Sequence, residues 1–118
     1  MFTFVGVSDS TGHQVYRIGG GKCVKVDPRY DLRRHSPAGF NWGYNGSGPA
    51  QLALAILADV TGDAEATLQL YQRFKLAVIS DLPREGFVLH QHEVEAWLIG
   101  NLALMTFDDD AIELGEEP

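Results

Sequence analysis

The chain has 118 residues, 45% of them hydrophobic, with two Trp, six Phe, four Tyr and a formal net charge of −7. That length buries one modest core and excludes two, and no apolar run approaches the roughly 18 residues of a membrane helix. The only cysteine, Cys23, excludes an internal disulfide and a zinc site built on several thiolates. Met1–Val7 lacks the basic stretch and long apolar run of a signal peptide, so the expected setting is the reducing cytoplasm.

Phe2–Val7 alternates and is rich in strand formers, Ser8–Gly12 has turn chemistry, and Val15–Ile18 reads as a second strand. Gly19-Gly20-Gly21 supplies positive-φ residues for a hairpin, and Lys22–Val26 alternates polar and apolar. These three segments predict an antiparallel meander. Residues 27–48, with two Pro, four Gly and four aromatics, predict a long packed loop, a kind that is uncommon and often functional. Pro49 suits the first turn of a helix, with Ser47 or Gly48 as its N-cap.

From Gln51 to Val60 only Gln51 and Asp59 are polar, which predicts a helix buried at the centre of the fold. Thr61-Gly62-Asp63 ends it and caps a second helix over about Ala64–Ser80, with Leu68, Tyr71, Phe74 or Lys75, and Val78 on its apolar face. Phe87-Val88-Leu89 has the composition of a short strand. A third helix opens at Gln91 or His92, carries Val94, Trp97 and Leu98 inward, and ends near Asn101. Asp108–Pro118 holds six acids in eleven residues and is expected to be a solvated, disordered tail. The expectation is an α+β fold over residues 1–107: a small N-terminal antiparallel β-meander packed on about three helices, the central one buried.

Charge is unevenly spread. Residues 1–50 hold six basic and three acidic side chains, whereas residues 51–118 hold thirteen acids and three bases. Such asymmetry marks a partner-binding face or merely solubilises the domain. The Gly43–Pro49 junction is the most informative stretch. Unpaired N–H groups at a helix start favour anions, and glycines let a phosphate approach the backbone. Arg33, Arg34 and His35 lie upstream, so Arg33, Arg34, His35, Trp42, Tyr44, Gly46, Ser47 and Gly48 form a candidate ligand site. The stretch lacks the Lys-Ser or Lys-Thr of a P-loop and does not follow a strand, as a dinucleotide fingerprint would. The competing reading is structural: a tight turn over a buried helix, with Trp42 and Tyr44 as its lid.

Interleaved aromatic and basic residues suit nucleobase stacking, but the overall acidity disfavours nucleic-acid affinity. The acidic half instead offers a nucleic-acid mimic for a basic partner. His90-Gln91-His92-Glu93 has no matching metal motif. Cys23 has no catalytic partner in sight, and Ser47 lacks the spacing of a nucleophile elbow. No catalytic residue, metal or cofactor is expected.

The segment His35-Ser36-Pro37-Ala38-Gly39-Phe40-Asn41-Trp42-Gly43-Tyr44-Asn45-Gly46-Ser47-Gly48-Pro49-Ala50-Gln51-Leu52-Ala53-Leu54-Ala55 resembles the signature of an uncharacterised family of short proteins from bacteria, archaea, phages and plasmids. The resemblance runs from about Tyr16 to Trp97 and includes Tyr71–Lys75 and Val94–Leu98. It implies a mobile-element setting and supplies no activity. The leading expectation is a small non-enzymatic interaction protein with a macromolecular, most simply protein, partner. The alternatives are a nucleotide- or phosphate-binding module at Gly43–Pro49, and an acidic inhibitor of the anti-restriction or anti-CRISPR kind.

Overall fold

The computed structural model of the chain describes residues 1–101, so the acidic tail lies outside the described residues. The first three strands are β1 (Thr3–Asp9), β2 (Gly12–Gly19) and β3 (Lys22–Lys25). Gly20 and Gly21, with φ of 58° and 76°, make the β2–β3 turn. Asp9 Oδ1 accepts the Thr11 N–H at 2.8 Å and closes the β1–β2 turn. The chain then forms α1 (Ser47–Thr61), α2 (Ala64–Ala77), a 3₁₀ turn (Ile79–Asp81), β4 (Gly86–His90) and α3 (Gln91–Gly100).

The fold is α+β, as expected: the N-terminal meander and three helices form. The sheet is larger than the meander. β4 returns from the C-terminal half to pair antiparallel with β1, giving the order β3-β2-β1-β4. The register puts Phe4, Val15, Phe87 and Leu89 on one face, where all four are buried. That face and α1, α2 and α3 share one hydrophobic cluster, which includes Leu52, Ile56, Leu70, Phe74 and Val94. The molecule therefore has two layers, with the helices on one side of the sheet.

Every residue of α1 from Gly48 to Ala58 is buried. Sheet, neighbouring helices and the 27–46 loop enclose it, which is why no polar stripe is present. Gly62 ends it in the left-handed conformation (φ 63°), its N–H bonded to Ala58 O at 2.9 Å. Asp63 caps α2 by accepting the Ala66 N–H at 3.1 Å.

Two details depart from the sequence reading. The buried face of α2 contains Thr67 and Leu70 besides Tyr71 and Phe74, while Leu68 is only partly buried. Thr67 tolerates burial because its hydroxyl donates to Asp63 O at 2.8 Å. The helix also stops at Ala77, not Ser80. Val78 leaves helical geometry, and the following 3₁₀ turn delivers Ile79 to the core.

Candidate functional site

The 27–46 loop is built onto α1 through one side chain. Gln51 is fully buried and uses its whole amide. Its Oε1 accepts the N–H groups of His35 (2.7 Å) and Ser36 (3.2 Å). Its Nε2 donates to the carbonyls of Pro28 (2.6 Å) and Arg33 (3.0 Å). Four loop backbone groups are thereby satisfied beneath the surface, where leaving them unpaired is costly. The other polar residue of α1, Asp59, accepts from Arg17 Nη1 at 2.8 Å and ties the helix to β2. The sequence reading noted both residues as exceptions to an apolar helix. It missed that both are anchors.

The proposed ligand residues go to several places. Trp42 is fully buried, its indole N–H donating to Pro83 O at 2.9 Å. Its ring stands edge-on to Phe87 (5.0 Å between centroids) and to His13 (4.9 Å). His35 Nε2 lies 2.6 Å from the Tyr71 hydroxyl. The Arg34 guanidinium sits 5.5 Å over the Tyr30 ring, and Arg33 Nη1 donates to Leu32 O at 3.0 Å. These contacts direct neither arginine to the α1 N-terminus.

At that terminus the N-cap is Gly46, one or two residues earlier than expected, and no side chain caps it. Ser47 and Gly48 are the first helical residues. A Cβ at Gly46 would come within 2.5 Å of the Tyr44 ring, and one at Gly48 within 2.6 Å of Asn41 Cβ. Both glycines therefore serve close packing of the loop on the helix start. Tyr44 remains exposed and does not turn inward beside Trp42. The cation at the junction is Arg84, unpredicted, which lies 5.1 Å over the Tyr44 ring and donates to Gly43 O at 3.3 Å.

His90 and His92 stack nearly parallel at 5.3 Å, with His90 Nδ1 held 3.1 Å from the Thr3 hydroxyl. Among the described residues no three His, Cys, Asp or Glu side chains converge to hold a metal. No described helix is long and apolar enough to cross a membrane.

A different surface stands out. The sheet face turned away from the helices carries Val5 and Val7 of β1, Tyr16 and Ile18 of β2, and Val88 of β4. Val88, Val5 and Tyr16 form one cross-strand row. No described element covers them: Val88 is 58%, Ile18 43% and Val7 39% exposed. Among the strand positions on this face the one carboxylate is Asp9, at the β1–β2 turn. Sequence periodicity signals such a face only weakly, because Val88 sits within the apolar run Phe87-Val88-Leu89.

The architecture defines a class: a two-layer α+β domain whose antiparallel sheet is bare on one side among the described residues. The chain belongs to a family of unknown function, DUF6166, which it matches over residues 4–100. No match was found among curated proteins or among solved structures.

Proposed function

We propose that this chain is a small non-enzymatic interaction protein that docks an apolar patch of a protein partner on its bare sheet face. The observation that carries the reading is the Val88–Val5–Tyr16 row with Ile18 and Val7 beside it. An apolar surface of this kind is disfavoured on a free monomer unless something covers it. On a chain of net charge −7, a face with one peripheral carboxylate is also where a partner meets least desolvation cost. The setting proposed with it, a bacterial, archaeal, phage or plasmid genome, rests on the resemblance of His35–Ala55.

The phosphate-module alternative has less support: Trp42 is a core residue, and Arg33 and Arg34 make other contacts. Among the described residues, no particular arrangement of carboxylates supports the acidic-mimic alternative.

The test is capture from native lysate by the wild-type chain, by Ile18→Lys/Val88→Lys, and by Leu76→Lys on the helical layer. The sheet variant should keep the wild-type melting curve and lose the partner, whereas Leu76→Lys should retain it. Equal capture by all three refutes the sheet face as the docking site. A wild-type dimer in light scattering that the sheet variant abolishes would assign the face to a second copy instead.

A further inference from the structure

The interaction reading concerns the bare sheet face, and the β3 edge offers a second surface of different chemistry. β3 is the outermost strand, and all four of its residues are exposed. The two-residue Gly20–Gly21 turn makes Gly19–Lys22 a hydrogen-bonded pair, and antiparallel alternation then makes Ile18–Cys23 and Tyr16–Lys25 non-bonded pairs. The bond from Val26 N–H to Val15 O (3.0 Å) fixes the same phase from the other end. The backbone N–H and C=O of Cys23 and Lys25 therefore point away from the sheet. Lys22 and Val24 spend theirs on β2. Among the described residues, two donors and two acceptors at strand spacing remain open, as an incoming strand requires.

The flanking charge selects the strand. On the inner side of the edge are two grooves, of about 170 Å³ and 300 Å³, which share Arg17 and Val24. Arg29 lines the first. Lys22 projects on this side and lines the second groove, whereas Lys25, opposite Tyr16, projects on the bare sheet face, so the edge carries one lysine on each side. Arg17 and Arg29 are paired with Asp59 and Asp31, but Lys22 and Lys25 form no ion pair among the described residues. In the register that uses both open residues, a second copy of β3 would set Cys23 against Lys25 and bring the two Lys25 side chains diagonally together on one face, which disfavours self-pairing. An acidic strand meets the opposite situation.

The geometry points to the β3 edge as a docking site for an extended acidic segment of a partner protein, added as a fifth antiparallel strand beside Cys23 and Lys25. This inference rests on the interaction-protein reading but uses a different surface. Main-chain bonds give such pairing its affinity, and side chains on alternate positions give it selectivity.

The probes are two labelled synthetic peptides, one alternating Glu and Val and one alternating Lys and Val. They are titrated against the full chain by fluorescence anisotropy. The Glu peptide should bind, more weakly as salt rises, and the Lys peptide should not. Lys22→Glu/Lys25→Glu should weaken the Glu peptide at least about tenfold and admit the Lys peptide. Cys23→Pro removes one outward N–H without touching a bond to β2, so it should abolish binding while both lysines stay. Should Cys23→Pro fail to fold, amide exchange in the wild type decides. Saturating Glu peptide should slow exchange at Cys23 and Lys25 and leave Lys22 and Val24 unchanged. Binding without that protection, or undiminished in folded Cys23→Pro, would show charge attraction alone and overturn strand addition. No binding would overturn it too. The sheet-face reading is decided separately by the Ile18→Lys/Val88→Lys variant.

Discussion

At the scale of single residues, small exceptions to the pattern hold the structure together. Gln51→Leu keeps the volume and strands four backbone groups, those of His35, Ser36, Pro28 and Arg33. Because each buried unpaired group costs about 1–3 kcal/mol and the loop can relax toward water, the expected loss is roughly 2–4 kcal/mol. Urea denaturation measures it, and exchange at the His35 and Ser36 amides should accelerate together. Gly6 shows the same economy. A Cβ there would lie 2.1 Å from Phe87 Cε2, so the bare glycine is the seat of that ring. Gly6→Ala should cost roughly 1–3 kcal/mol. In a Phe87→Ala background the same change should cost almost nothing, and a double-mutant cycle reads the coupling. Two exposed carboxyls respond to acid. The Thr11 hydroxyl and N–H hold Asp9 below its ordinary value of 3.8, and the Arg29 guanidinium holds Asp31 below 3.8 as well. A carboxyl lowered on folding stabilises above its ordinary value, and the contribution is lost as pH falls through the folded one. Stability should therefore drop below about pH 4 by these two groups. Thr11→Val should raise the Asp9 titration midpoint, followed by NMR of the carboxyl.

At the scale of elements, α1 decides stability and the 27–46 loop depends on it. Leu57 is fully buried, so Leu57→Ala should destabilise by about 2–5 kcal/mol in chemical denaturation. An unchanged midpoint would contradict the enclosure of the helix. The loop makes a second expectation possible. Arg33 and Arg34 lie on Leu32 O and Tyr30, so sulfate should raise the melting temperature equally in wild type and in Arg33→Ala/Arg34→Ala. Equal response reflects the exclusion of sulfate from protein surfaces. A larger response in the wild type would revive the anion site. The elements themselves were legible from local signals: the glycine pair for the β2–β3 turn, the unbroken apolar run for α1, and Gly62 and Asp63 for the junction with α2. The end of α2 was not, because Val78 and Ser80 fit a helix equally well and only the packing of Ile79 turns the chain.

At the scale of the whole molecule, one cluster joins the sheet to all three helices, and Trp42 sits inside it. The described domain should unfold as one unit. In a Trp97→Phe variant, Trp42 fluorescence and far-UV circular dichroism should give superimposable urea transitions, despite the loop position of Trp42. An earlier fluorescence transition would mean that the loop lifts off α1 before the core opens.

The sequence by itself determined the class of fold, the three N-terminal strands, the buried central helix and the absence of a recognisable catalytic motif. Each follows from neighbours within a turn or two of chain, where periodicity and turn chemistry act. Tertiary structure alone decided the rest. It paired β4 with β1 across more than eighty residues, as Thr3 opposite His90 shows. It gave Gln51 its four loop partners and sent Trp42 to the core while leaving Tyr44 outside. Among the described residues it also left one sheet face and the β3 edge open, because all three helices pack on the same side of the sheet.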